Sequence, residues 1–277
     1  MKFRIAGALV ISLFLMKSLN GQDKAYIKDT ARSKDSYKTP KYSRDGYVAI
    51  NGGLGMPTGS YSTNSCASSG SIFSITAAFP GIISHCGFAF KFDYGTNSLN
   101  KAQFSGTLNN DTGVTNLSYS VADNVQKYSY KTLLGGLYLT YPGKYVTIDG
   151  RILAGIMKAS VPAIAYTIND SISGKSGTVY QGETSSFALA LDFGIEVRYQ
   201  FKPKFCVILN ADYLHSVPTF LSVVTGSEIT STGTIISAPG RQVMGGDQPF
   251  DLYTISIGVG YTISAQKAAP LKPTHLD

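Results

Sequence analysis

No apolar run in this chain approaches the roughly 18 to 20 residues that a membrane-spanning helix needs. Tryptophan is absent, and only three histidines and three cysteines occur in 277 residues. Cys66, Cys86 and Cys206 are odd in number, and their spacing matches no zinc motif, which excludes a disulfide framework and a thiolate metal site. Free structural thiols are the expected state. Charged residues make up 15% of the chain, and the formal charge of +7 is unevenly placed. Lys2, Arg4 and Lys17 sit at the start, residues 22–45 hold seven Lys/Arg against four Asp, and the residues after Ile263 add a net +1. Residues 46–263 are therefore neutral, whereas a nucleic-acid-binding domain would gather basic charge on its folded part.

What the chain has in quantity is Gly (29), Tyr (18) and Phe (14), a composition suited to strands and tight turns. Its start, "MKFRIAGALVISLFLMKSLNGQ", reads as a secretory signal over residues 1–21: Lys2 and Arg4 lead a short apolar stretch, with small Gly21 before the cut. Residues 22–45 are polar and nearly free of aliphatic side chains, and are expected to form a flexible periplasmic lead-in. Residues 264–277 are expected to form a short periplasmic tail.

Between them lie eight strand-like segments, at 46–56, 71–79, 86–95, 128–142, 145–162, 185–201, 205–215 and 250–263. Most alternate with period two. In "FALALDFGIEVRYQF", Phe187 to Phe201, the odd positions are apolar throughout, and the even ones are Ala, Ala, Asp, Gly, Glu, Arg and Gln. Connections of six, two and three residues alternate with connections of about 14, 32, 22 and 34. Short turns on one rim and long loops on the other predict an all-β fold: an eight-stranded antiparallel up-and-down transmembrane β-barrel. A soluble barrel with its apolar face inward would also alternate. However, its outer face should be rich in Lys and Glu, and the polar face here is Gly, Ala, Ser and Thr with a few charges of both signs, which suits a narrow interior. Aromatics gather at strand ends, as at a lipid headgroup level: Phe79, Tyr141, Tyr145, Tyr199, Phe201, Phe205 and Tyr261 near the short turns, and Tyr94, Tyr128, Phe187, Tyr213 and Tyr253 near the long loops.

The turns set register. Phe201 should pair with Phe205 across "KPK", placing Glu196 opposite Asn210. Pro142 should pair with Tyr145 across Gly143-Lys144, placing Tyr138 beside Asp149 and Gly136 beside Arg151. Lys131 breaks the apolar face there, which marks either a bulge or the membrane rim.

The lead-in, the first strand "YVAINGGLGMPTG", and the segments "CGFAFKFDYGTN" and "ALALDFGIEVRYQFKPKF" resemble the small outer-membrane β-barrel family common in Bacteroidota, itself similar to the OmpA, OmpX and OmpW barrels. The resemblance covers 46–263 and implies an outer-membrane location in a Gram-negative bacterium, periplasmic termini, insertion by the barrel-assembly machinery and contact with outer-membrane lipid. The last strand departs from it, ending "YTI" with fourteen residues following.

No cofactor or metal motif is present. The inward polar set is Lys91, Asp93, Asp149, Arg151, Asp192, Glu196, Arg198, Asn210 and Asp212; its charges could line an ion path or form a salt-bridged plug, and the plug fits a narrow barrel better. A hydrolase would need a nucleophile, a histidine and a carboxylate on one face. His85 falls in a short turn, His275 in the tail, and His215 beside Ser216, which should face the other way. Asn110, Asp111 and Asp170 lie in loops without calcium-loop spacing. Asp29-Thr30-Ala31 and Asp170-Ser171-Ile172 resemble a short O-glycosylation string. The expected function is therefore non-enzymatic: a barrel whose loops contact an extracellular partner or support the envelope, with a small-solute channel as the alternative and a lipid or peptide hydrolase behind it.

Intact-mass measurement of the mature protein is expected to give a chain beginning at Gln22; retention of residues 1–21 would overturn the signal reading.

Overall fold

A computed structural model describes residues 46–81, 85–112, 117–122, 127–143, 146–202, 204–229 and 235–263. The expected signal, lead-in and tail, and the turn residues Lys144 and Tyr145, lie outside the described residues. Eight strands close into a barrel: β1 (Gly46–Thr58), β2 (Ala67–Pro80), β3 (Cys86–Leu99), β5 (Tyr128–Pro142), β6 (Val146–Val161), β9 (Thr184–Lys202), β10 (Phe205–Ser216) and β13 (Phe250–Ile263). Each pairs antiparallel with the next, and β1 closes on β13 from Gly46↔Ile263 to Thr58↔Asp251. Closure removes every free edge, so the barrel's own ladders satisfy its backbone.

Alternation works because side chains leave a strand on opposite faces. Odd positions of β9 point out and even ones in: Phe187, Leu191, Phe193, Ile195, Tyr199 and Phe201 are exposed, while Ala190, Asp192 and Glu196 are buried. The interior is filled by small and large residues in turn. Across β5–β6, fully buried Leu134 faces Gly155 and Gly136 faces fully buried Leu153. Small-against-large pairing of this kind fills a tapering interior.

The register across β9–β10 places Glu196 opposite Asn210 as expected, but a shift between Phe205 and Cys206 sets Phe205 against Lys202 rather than Phe201. Across β5–β6 the expected register is corrected by two residues: Pro142 pairs with Thr147, Thr140 with Asp149, and Tyr138 with Arg151. Pro142 has no N–H to donate, and the hairpin is closed instead by Gly143 N–H donating to Val146 O at 2.8 Å. A slip of two keeps every face assignment. Lys131 sits in continuous register opposite Lys158, which excludes the bulge. Tyr128 is also corrected: it points inward, 4% exposed, and its hydroxyl donates to Ser65 O at 2.6 Å.

The long connections are not plain loops. The first carries α1 (Gly59–Thr63), the second α2 (Lys101–Thr112) and β4 (Leu117–Val121), the third β7 (Ile164–Asp170) and β8 (Ser176–Gln181), and the fourth the hairpin β11 (Thr219–Ile229) and β12 (Ile235–Asp247). The last five strands form a second sheet in the order β12-β11-β8-β7-β4. Only two residues separate β6 from β7, β8 from β9, β10 from β11 and β12 from β13, and Pro162, Pro218 and Pro249 stand in three of these gaps. Each of the crown strands β7, β8, β11 and β12 is thus a barrel strand continued past a break, and in three of the four proline interrupts the ladder. The crown has its own small core of Leu117, Tyr119, Ile168 and Val179, with Leu108, Tyr166 and Val224 against it. No helix among the described residues is long and apolar enough to cross a membrane.

Gly136→Val is expected to overpack the interior and cost about 1–3 kcal/mol, because a side chain there meets the Ile152 carbonyl and Leu153. Gly52→Val, where an added Cβ meets nothing within 4 Å, should be near neutral. The temperature at which the compact form of the barrel is lost on unheated gels measures both.

Candidate functional site

The nine inward residues singled out above come from four strands and form one connected network. Lys91 on β3 reaches across the lumen: its Nζ lies 2.7 Å from Asp192 Oδ2, 3.0 Å from Asp212 Oδ2 and 3.3 Å from Asp93 Oδ2. Arg151 on β6 shares Asp212, its Nη2 donating to Asp212 Oδ1 at 2.8 Å and Asn210 Oδ1 at 3.1 Å while Nη1 donates to Glu196 Oε2 at 2.9 Å. Arg198, nearer the short turns, donates through Nε to Asp149 Oδ2 at 2.8 Å, lies 3.5 Å from Glu196 Oε1, and stacks its guanidinium over the Tyr47 ring at 4.2 Å. Ser74 and Thr132 donate to Asp93 at 2.6 and 3.0 Å, and Asn210 Nδ2 donates to Ser256 Oγ at 3.4 Å.

Gly194 makes this packing possible. It faces inward between Arg151 and Asp212, its strand partners, and a Cβ there would collide with the Asp212 carboxylate and come 2.8 Å from Arg151 Nε. All nine side chains except that of Arg198 are almost fully buried. Five carboxylates meet three cations, and Asp149 Oδ1 and Asp192 Oδ1 accept no hydrogen bond among the described residues. Tyr138, Ile208 and Leu214, at 5, 0 and 3% exposure, fill the space around the charges.

Above the network an aromatic plug closes the end that carries the crown. Tyr61 on α1 stacks on Phe250 with centroids 4.0 Å apart, Tyr128 meets Tyr61 edge-on at 5.9 Å, and Tyr130 meets Phe250 at 5.2 Å. Burial, then the neighbouring Tyr128 and Tyr130, push the Tyr61 hydroxyl well above its ordinary pKa, so it stays protonated and donates to Asn97 Oδ1 at 3.4 Å. Burial likewise raises the Cys66 thiol. The three cysteines are free; Cys206 faces inward and Cys86 outward on the barrel.

The outer surface has a sharp upper boundary. Going from short turns to crown, the outward-facing residues stay apolar up to Met56, Phe73, Tyr94, Leu133, Ile156, Tyr213 and Tyr253. The next outward positions are Thr58, Ser71, Thr96, Lys131, Lys158, His215 and Asp251. In this ring His215 Nδ1 lies 2.7 Å from Asp251 Oδ1, which also accepts from Tyr213 Oη at 2.7 Å. Sequence reasoning missed this trio because its members meet only through the β10–β13 register. Ser216 points inward and donates to Leu189 O at 2.7 Å, away from His215. His85 lies in the turn before β3.

Asp170 is spent on its own turn: it accepts from Ile172 N–H at 2.9 Å and from the Ser173 hydroxyl. Asn110 and Asp111 fall in α2, a helix rather than the expected loop. Among the described residues no three His, Cys, Asp or Glu are grouped to hold a metal ion.

No family model matches this sequence, and no curated protein matches it. Solved structures of similar shape include a major outer membrane protein from Thermus thermophilus, at 14% identity over 79% of this chain and 99% of that one, with a TM-score of 0.39. Neisserial surface protein A is 13% identical over 78% and 96%, with a TM-score of 0.35. Ail of Yersinia pestis, solved with the heparin analogue sucrose octasulfate, is 12% identical over 79% and 99%, with a TM-score of 0.34.

Arg151→Ala leaves the buried Glu196 and Asp212 without their shared partner and should cost about 3–5 kcal/mol. Arg198→Ala should cost less because its side chain is 14% exposed, and outward Val207→Ala much less again. Melting of the compact band orders the three; equal midpoints would show that the network carries no stability.

Proposed function

We propose that this chain is a non-enzymatic outer-membrane barrel, plugged through its lumen, that holds a folded crown at the cell surface for contact with an extracellular partner. The observation that carries this reading is the pairing of an apolar exterior on all eight strands with a charged, tightly filled interior. Outward residues such as Leu54, Leu139, Ile152 and Ile257 are 60–64% exposed, and they continue around the closed barrel. A protein in water rarely leaves a contiguous apolar patch larger than about 300–600 Å², whereas lipid covers such a band at no cost. Helices and closed barrels alone satisfy their backbone inside a bilayer.

The lumen argues against the channel. Eight strands enclose a space that side chains nearly fill, and here Lys91, Arg151 and Arg198 cross it at successive depths beneath the aromatic plug. Support for a surface role comes from the crown: a five-stranded sheet with its own core is far more structure than a turn needs, and it is built on one rim. The rim with short turns then faces the periplasm, with both termini. The Bacteroidota-type family assignment and insertion by the barrel-assembly machinery belong to this same reading.

Two measurements test it. A membrane-impermeant maleimide should label Ile172→Cys, in the exposed β7–β8 turn, on intact cells, and should reach Lys204→Cys, beside the β9–β10 turn, only after the outer membrane is opened; the converse pattern inverts the topology. In planar bilayers the purified protein should give at most small, rare conductance steps, and large, long-lived ohmic steps would replace the plug with the channel.

A further inference from the structure

The ring of polar residues at the upper boundary of the barrel exterior has two irregularities, and they adjoin. The first is Lys131 opposite Lys158, direct cross-strand partners on the outer face of β5 and β6. Like charges in that position repel, and among the described residues neither ammonium meets a carboxylate. Each is instead held over an aromatic ring, Lys131 Nζ 5.8 Å from the centre of Tyr94 and Lys158 Nζ 5.6 Å from that of Phe187. The second is β9, on which the apolar face continues above the level of His215, which pairs with Leu191, through Leu189 to Phe187, 81% and 69% exposed. Phe187 is the strand partner of Lys158.

Beneath the two lysines the outer surface is hollowed. Four residues down each strand stand Gly135 and Ala154, again cross-strand partners. They stand at one end of an apolar groove of about 1000 Å³ that runs across the strands from Leu137 and Ile152 past Phe193 and Tyr213 to Tyr253 and Met56, and neither lysine lines it. The small residues set the floor and the exposed Leu133–Ile156 pair stands between groove and lysines.

We propose that Lys131 and Lys158, with the groove below them, form a subsite for an anionic outer-leaflet lipid, its phosphate on the two ammonium groups and an acyl chain in the groove. The proposal rests on the membrane reading above. The chemistry matches at both ends: a phosphate accepts charge-assisted hydrogen bonds from two donors at once and removes their repulsion, and an acyl chain fills an apolar hollow that is continuous with the lipid-facing belt. A second copy of the chain fits less well, because the acidic member of the polar ring, Asp251, is already engaged by His215 and Tyr213.

The test uses the whole mature protein in phosphatidylcholine vesicles doped with phosphatidic acid, extracted into mild detergent and weighed by native mass spectrometry. Wild type should retain one phosphatidic acid in preference to phosphatidylcholine. Lys131→Gln/Lys158→Gln should retain about tenfold less, the loss expected when charge-assisted bonds at an exposed site are removed. Ala154→Trp, which blocks the end of the groove beneath the lysines and leaves the charges, should also release the lipid. Equal retention by wild type and the double variant overturns the proposal. So does displacement of the lipid by inorganic phosphate alone, which marks a free-anion site, or a dimer lost in the double variant, which marks an interface between copies. The heat-shifted band is read on the same vesicles: its absence in wild type sinks the membrane reading and this proposal together, and its presence without lipid selectivity sinks this proposal alone.

Discussion

The shared carboxylate of Asp212, held between Lys91 and Arg151, is the contact on which the rest of the barrel interior depends. A closed sheet of eight strands leaves room for little beyond its own inward side chains, so any charge placed there must be neutralised by another charge across the lumen. Asp212 meets both cations because Gly194 beside it offers no Cβ. The contact ties β3, β6 and β10 together, and Asp192 and Glu196 add β9. The net stability of such a cluster is modest against the cost of stripping charges of water, whereas breaking it is expensive. Its effect is therefore felt chiefly in the arrangements it forbids.

One such arrangement is a register slip. Alternation with period two penalises a slip of one residue, which turns every strand face over, but tolerates a slip of two. The sequence reading of the β5–β6 hairpin erred by two residues for that reason: no face changed, and only the closing Gly143–Val146 bond distinguishes the true pairing. On β9 the same ambiguity is resolved by space as much as by charge. Moving β6 two positions along β9 would still set Arg151 opposite a carboxylate, Glu196 one way and Asp192 the other, but would take it from opposite Gly194, the gap through which it reaches Asp212. Patterning sets the faces, and the buried network sets the pairing that patterning leaves open.

This division also explains what was legible. The eight barrel strands were visible because each is long, alternates and meets two neighbours. The inward set followed from parity, without distances. Within the crown, the alternation of "VVTGSEITSTGTIISAPG" already points to the β11–β12 hairpin, whereas β4, β7 and β8 are short and rich in Ser, Thr, Gly and Asn and do not show; "LSYSV" of β4 is a strand only because β7 pairs with it. Tyr128 was misplaced for a related reason: proximity to a long loop suggested the rim, whereas its even position in β5 aims it at α1. The His215–Asp251 contact spans 36 residues and needs the β10–β13 register before it can be seen.

The strand connections make the crown and the barrel one continuous object. β6 runs into β7 and β8 into β9 across two residues each, as do β10 into β11 and β12 into β13. At the junctions the chains still hold one another: Gly182 N–H donates to Val223 O, Thr184 Oγ to Leu221 O, and Gln248 N–H to Pro218 O, at 2.9–3.0 Å. Four barrel strands therefore carry the crown sheet as their own extensions, bent where proline or a break in the ladder ends barrel pairing. The same β9 that continues into the crown carries the apolar exterior up to Phe187, level with Lys158 of the polar ring. One strand thus joins the two regions, and its inward face is pinned by Asp192 to Lys91 and by Glu196 to Arg151.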